Sequence, residues 1–339
     1  MDSKRRRKTI WWTAGTLATV VVLALAAMTL GRYEITLPQF FAALFPGAFP
    51  DIEVSDTMRN VIFNVRLPRI LLALLSGAGL AVSGGAFQAI FSNPLATPDT
   101  LGVATGSSFG AILGILFGLS SMLVQLSALA FGMLAVGLVY LIGRTNKRSS
   151  IIMIVLAGMV VGALFSALVS LVKYAADPQD VLPAITFWLM GSLSGATRDS
   201  LLMGAPLILL GTALIFIYRW KLNAMTLPEE EATALGIPVR RIRVLVTLGA
   251  GMVTAAVVSM CGLIGWVGLL VPHVARMLFG NDNSRVIPAS IGFGSIFMLV
   301  IDTVARCATA SEIPVSILTA IIGAPVFILL LRKTGGIKA

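Results

Sequence analysis

Two stretches of this chain hold the side chains that could do chemistry. One runs from Met225 to Arg243 and carries three consecutive carboxylates, Glu229, Glu230 and Glu231, followed by Arg240, Arg241 and Arg243. The other is split between Arg66-Leu-Pro-Arg69 and Asp302-Thr-Val-Ala-Arg306. Guanidinium groups grip carboxylates in a two-point fork, so two arginines fixed around a proline can receive an acidic partner. Arginines at the ends of apolar segments also snorkel toward water, and the residues alone leave both readings open. Asp302 and Arg306 lie one helical turn apart and read as a local ion pair.

Neither stretch is a catalytic set. The chain has no Gly-x4-Gly-Lys-Ser/Thr phosphate loop and no Gly-Lys pair, so ATP hydrolysis is not expected of it. His273 is the single histidine, and no Ser-His-Asp spacing or His/Cys/carboxylate cluster surrounds it. Cys261 and Cys307 sit in apolar sequence without metal or redox spacing and read as packed thiols. Gly262, Gly265 and Gly268 repeat every third residue, but without a strand–helix context they point to close helix packing rather than a dinucleotide site. No metal, no bound cofactor and no enzymatic activity are expected.

The elements that position these residues are apolar spans. The chain is 57% hydrophobic and 12% charged, where a soluble domain carries roughly 25% charged residues. Spans are expected near 10–30, 67–91, 98–118, 121–143, 151–173, 201–219, 244–264, 266–279, 286–306 and 313–331, about ten in all. The eighth is too short to cross alone and must lean on protein for cover. Residues 183–195 are expected to form a re-entrant piece. The run Lys4-Arg-Arg-Arg-Lys8 before Ile10–Leu30 resembles a leader, yet its apolar part exceeds the usual 7–15 residues, so a retained span is expected. The division is then a basic tail, 1–9, and one transmembrane domain, 10–339.

The net charge of +10 could suggest nucleic acid, but the cations sit in short clusters between spans, where they set orientation. With the first residue inside, all but Arg32, Arg59, Arg66, Arg69, Lys173, Arg198 and Arg306 fall on the cytoplasmic side. Both termini and the glutamate island are therefore expected in the cytoplasm. The island has its own helix signals: Thr226 as a cap, Pro228 in the first turn, glutamates at the positive end of the dipole, and Gly236 and Pro238 as stops.

Small residues mark close approach. Gly102, Gly106, Gly110, Gly114 and Gly118 recur every fourth residue in the third span, and Gly158, Gly162, Ser166 and Ser170 repeat the spacing in the fifth. Bundle packing explains the ladders; a sliding pore face is the alternative. The Ser92-Asn-Pro-Leu-Ala-Thr-Pro98 turn reads as punctuation or as the cap of an exit path.

Together these segments carry a family likeness. Arg66-Leu-Pro-Arg69, Gly77-Ala-Gly-Leu-Ala-Val-Ser-Gly-Gly-Ala-Phe-Gln88, Asn93-Pro-Leu-Ala-Thr-Pro98 and Leu101-Gly-Val-Ala-Thr-Gly106 follow one another. Glu230-Glu-Ala-Thr-Ala-Leu-Gly236, Gly262-Leu-Ile-Gly-Trp-Val-Gly-Leu-Leu-Val-Pro-His273 and Gly323-Ala-Pro-Val-Phe327 come later. From about residue 30 onward the chain resembles the FecCD-type permeases of iron-siderophore and cobalamin ATP-binding-cassette importers.

The resemblance implies an all-α, multi-pass protein of a bacterial cytoplasmic membrane, paired with a second permease, identical or homologous. Two cytoplasmic ATPases, which hold the ATP and magnesium, and an extracytoplasmic substrate-binding protein complete the assembly. By motif position, Arg66, Arg69 and Arg306 would receive the binding protein's glutamates. Leu227, Pro228, Glu229, Glu230, Glu231, Ala232, Leu235 and Gly236, within about 225–239, would couple to the ATPases. Asn93 and Leu95, with Ser150, Ile151 and Ile152, would form the inner gate. Pro228 departs from the glycine usual at its position.

The residues agree with such a role. A bulky chelate needs a wide, sparsely charged path, and a chain without a phosphate loop needs an external motor. A ferric siderophore is the expected cargo, with cobalamin or haem as alternatives of the same architecture. A secondary transporter would carry midplane charges, which are sparse here.

Overall fold

The computed structural model describes residues 3–143 and 151–333 and is helical throughout its regular structure. The helices are α1 (Ser3–Thr29), α2 (Leu37–Leu44), α3 (Asp56–Asn60), α4 (Leu67–Ile90), α5 (Val103–Leu116), α6 (Ser121–Gly143), α7 (Ile151–Ala175), α8 (Val181–Leu189), α9 (Arg198–Tyr218), α10 (Glu229–Ala234), α11 (Val239–Cys261), α12 (Val267–Phe279), α13 (Asn283–Cys307) and α14 (Val315–Lys333). Among the described residues, seven stretches are long and apolar enough to cross a membrane, and three shorter apolar helices, 103–116, 267–279 and 315–330, accompany them. Ser150 of the expected gate, and the cations Arg144, Lys147, Arg148 and Lys338, lie outside the described residues. α1 runs unbroken through the expected boundary after residue 9.

α4 and α11 are the central helices, and α1 lies at the periphery. The centre is tight because small residues let backbones meet. A Cβ at Gly77 would overlap the carbonyl of Gly294 on α13, and one at Gly84 would overlap that of Gly268 on α12. Gly268 is thus a packing residue, as its spacing predicts, whereas Gly265 touches nothing within 4 Å.

The expected third span, 98–118, is not one helix. A 3-10 turn, Pro98–Leu101, precedes α5, and Gly102 joins them in the left-handed region at φ +68. Pro98 fits the first position of that turn, and the left-handed backbone at Gly102, which glycine adopts without a Cβ clash, breaks the helical path before α5. Only Gly106, Gly110 and Gly114 of the ladder lie within α5 and pack on α6. Gly102 instead meets the backbone of Gly162 on α7, and Gly118 lies beyond the helix with open space around it. In the second ladder Gly158 packs against the carbonyl of Thr100, while Ser166 and Ser170 are exposed.

A proline also shapes the entry to α4. Residues Val61–Arg66 form a wide turn in which Leu67 N–H donates to the Ile62 carbonyl. Pro68 has no N–H, and its ring would crowd a carbonyl four residues back; one wider turn absorbs it without a break.

Candidate functional site

The island occupies the surface of one end of the bundle. The segment Lys221–Thr226 forms a 3-10 turn that is pinned rather than loose. Asn223 donates through Nδ2 to Asp282 Oδ1 at 2.8 Å and accepts from the Asn283 N–H at 2.7 Å. Asp282 in turn caps α13 by accepting from Ser284 N–H. Burial pulls the Asp282 carboxyl up, but hydrogen bonds from Ser284 and Asn223 and the charge of Arg285 outweigh it and hold it below its ordinary value.

α10 is shorter than expected, and its start differs. Pro228 stands at the N-cap position, with φ −51 and ψ 142, rather than in the first turn. The Thr226 hydroxyl bonds back to the Asn223 carbonyl and does not cap α10. The glutamates still follow as the sequence predicts, over the first turn of α10. The helix stops because Gly236 adopts φ +77, letting its N–H reach Thr233 O and the Ile237 N–H reach Ala232 O. That pair of bonds satisfies carbonyls the helix end would otherwise orphan.

Of the coupling residues, Ala232 alone is buried, set in the core with Leu222, Met225 and Val239. Leu227, Pro228, Glu229, Glu230, Glu231, Leu235 and Gly236 are exposed. The result is a small anchored knob of acid and leucine beside a cleft of about 570 Å³ lined by Glu229, Thr233, Pro238, Arg240 and Arg241. One contact was not legible from spacing. Glu229 Oε2 lies 3.0 Å from Nη2 of Arg243, which is buried on α11, so the knob is tied by charge to a central span.

At the opposite end the structure brings Arg66, Arg69 and Arg306 together. Arg69 bonds Asp302 at 2.9 Å through Nε and grips Glu312 with both terminal nitrogens, at 2.7 and 2.9 Å. Asp302 is fully buried, and its second oxygen lies 3.7 Å from Arg306 Nε. Asp302 therefore keeps the pair with its helical neighbour Arg306 that spacing predicts and adds a closer one with Arg69 on the adjoining helix α4. Arg66 donates to the carbonyls of Met28, Thr29 and Tyr33, and Arg306 to those of Ala27 and Leu30. Both guanidiniums thus complete the carbonyl end of α1, where positive charge is favoured. None of the three snorkels, since each is buried. Glu312 is the member that sequence reading missed, because it lies in a loop 243 residues from Arg69.

The expected gate is resolved in part. Asn93 Oδ1 accepts from Leu95 N–H at 2.9 Å, a side-chain turn that leaves both residues exposed. Ile151 packs on the core cluster that holds Phe91 and Ala96, while Ile152 points outward. His273 stacks edge-on against Phe327 at 5.7 Å, and its Nε2 has no hydrogen-bond partner. Among the described residues no three His, Cys, Asp or Glu groups converge on a metal position. Cys261 is buried as expected, but Cys307 is exposed.

A family model, the FecCD transport family, matches residues 18–333. The chain belongs to that family. It is 42% identical over 314 residues to the molybdate import permease MolB of Haemophilus influenzae, covering 93% of each chain. It is 39% identical over 282 residues to the cobalamin import permease BtuC of Halobacterium salinarum, covering 82% of this chain and 75% of that one. A solved metal-chelate type ABC transporter in an inward-facing conformation superimposes with a TM-score of 0.85 at 40% identity, over 94% of this chain and 98% of that one. The protein is thus a multi-pass membrane permease of an ABC importer, and hydrolysis of ATP would belong to separate subunits.

Proposed function

We propose that this chain is the membrane half of an importer that carries an anionic metal species inward by alternating access, driven by two ATPases bound at the α10 knob. The observation that carries it is the Glu229–Arg243 pair, which joins an exposed acidic knob to the central helix α11. A push on the knob is delivered to α11, and rigid helices convert it into tilting of the spans. In this reading the chain has ten crossings, both termini cytoplasmic, and pairs with a second permease through apolar faces such as that of α7, where Ile152, Met159, Val160 and Leu164 are exposed. Asn93, Leu95, Ser150, Ile151 and Ile152 close the inner end. A binding protein docks at the Arg66, Arg69 and Arg306 end.

An anionic cargo is favoured by Arg276 on α12. Its hydrogen bonds go to three neutral oxygens, those of Gln88, Asn283 and Gly85. The first reading of the cargo is a ferric siderophore; the second, favoured by the likeness to MolB, is molybdate. The complex, reconstituted in vesicles with its ATPase and binding protein, should accumulate one of these only when ATP is supplied. Uptake driven by an ion gradient without ATPase would overturn the importer reading. Accumulation of radiolabelled molybdate but not iron chelates would select the second cargo.

A further inference from the structure

The periphery holds a feature that neither transport nor coupling uses. α1 is mostly exposed over residues 11–22 and packs along α13, closely enough that a Cβ on Gly292 would overlap Thr16. Beside this contact lies a groove of about 620 Å³ walled by Leu17 and Val20 of α1, Leu278 and Phe279 of α12, and Phe293 of α13. Arg285 and Trp12 belong to the same groove. Trp12 meets Phe279 edge-on at 5.5 Å, so one wall is aromatic.

The groove's length and charge both point to a lipid. Along α13 it extends from Arg285 to Ser295, roughly 15 Å at the helical rise. That is one leaflet of a hydrocarbon core about 30 Å thick. Its lining is apolar along the helices and cationic at one end. Arg285 is only weakly compensated: its sole ion-pair partner among the described residues, Asp282, lies 3.6 Å away, and the other oxygen of that carboxylate already serves Asn223 and Ser284. The sequence adds Lys4 to Lys8 on the opening turns of α1, against the single acid Asp2. Basic pockets between spans on the cytoplasmic side suit anionic headgroups, and tryptophan favours the interfacial depth.

We propose that the groove between α1 and α13 is a binding site for an anionic phospholipid of the cytoplasmic leaflet, its phosphate held at Arg285 and an acyl chain laid along Leu17, Val20 and Phe293. The leaflet follows from the charge bias; the site itself depends on neither the cargo nor the coupling reading. A neutral lipid would lose the charge pairing, and free phosphate would lose the groove.

The test uses the full-length permease in nanodiscs of phosphatidylcholine with a minority of phosphatidylglycerol, read by native mass spectrometry. Phosphatidylglycerol should be retained preferentially, and Arg285→Gln should lower that preference about fivefold, the size expected for one surface cation. Arg285→Lys should restore it. Ala289→Phe, which fills the groove and leaves the charges, should lower retention as well. Folding of each variant is checked by thermal melting and gel filtration. Equal retention of both lipids, displacement of the lipid by inorganic phosphate, or retention untouched by both Arg285→Gln and Ala289→Phe would overturn the proposal. A change of oligomeric state in Ala289→Phe with lipid retention intact would do so too, by assigning the groove to a protein partner.

Discussion

At the residue scale, two ion pairs divide the labour between stability and transmission. The Arg69–Asp302 pair is buried on both sides. Removing one member of such a pair leaves an uncompensated charge and costs about 3–5 kcal/mol, whereas removing both costs far less. Arg69→Ala should therefore lower the melting temperature sharply, and Arg69→Ala with Asp302→Asn should recover much of the loss. The Glu229–Arg243 pair is different, because Glu229 is about half exposed, at 54%. Exposed pairs contribute little to stability, about 0–1 kcal/mol. Glu229→Gln should leave melting almost unchanged, yet in the assembled complex it should raise the ATP hydrolysed per molecule transported. An unchanged ratio would show that the knob does not act through this contact. At Asp302 spacing showed only part of the cluster: the i,i+4 pair with Arg306 is present, but Arg69, distant in sequence, is nearer in space.

At the element scale, the glycine contacts show why sequence periodicity overstates some packing positions and overlooks others. The ladder at Gly102–Gly118 is regular, but its first glycine is the left-handed break before α5 and its last faces open space. The closest approaches, Gly77 to Gly294 and Gly84 to Gly268, join helices far apart in the chain. Gly84→Ala should therefore prevent or severely weaken folding, since backbone must move, while Gly137→Ala meets nothing within 4 Å and should be neutral or slightly stabilising through helix propensity. Expression yield and thermal melting of the pair distinguish the two. The clamp on the island belongs to this scale as well. A carboxyl held below its ordinary value contributes stability above its unfolded pKa, about 3.9, and loses it as pH falls through the lower folded value. The Asn223–Asp282 clamp should thus persist at neutral pH and loosen only in strong acid. Asp282→Asn should remove that acid-dependent step, read as hydrogen exchange across 220–226.

At the scale of the whole molecule, the described residues form seven long apolar stretches, with α4 and α11 at the centre, and three shorter apolar helices, with polar structure concentrated at the two ends. One end presents the α10 knob and its cleft; the other gathers Arg66, Arg69, Asp302, Arg306 and Glu312 around the carbonyl end of α1. Because those arginines are already paired or capping carbonyls, an incoming acidic partner must compete with Glu312 for Arg69. Glu312→Gln should accordingly strengthen docking of the binding protein at fixed salt, and Arg69→Lys, which cannot form the two-point grip, should weaken it. An affinity indifferent to both changes would place docking elsewhere on that face.

What the sequence alone determined was whatever depends on local composition and short spacing. It settled the membrane class, the approximate spans other than 98–118, the acidic first turn and the stop of the glutamate island, and the lack of a phosphate loop. These follow from hydropathy and turn chemistry, which act over a few residues. The tertiary structure alone decided which charges meet. Arg69 with Glu312, Arg243 with Glu229, and Asn223 with Asp282 are joined by how helices pack, and no local pattern encodes a contact across 243 residues.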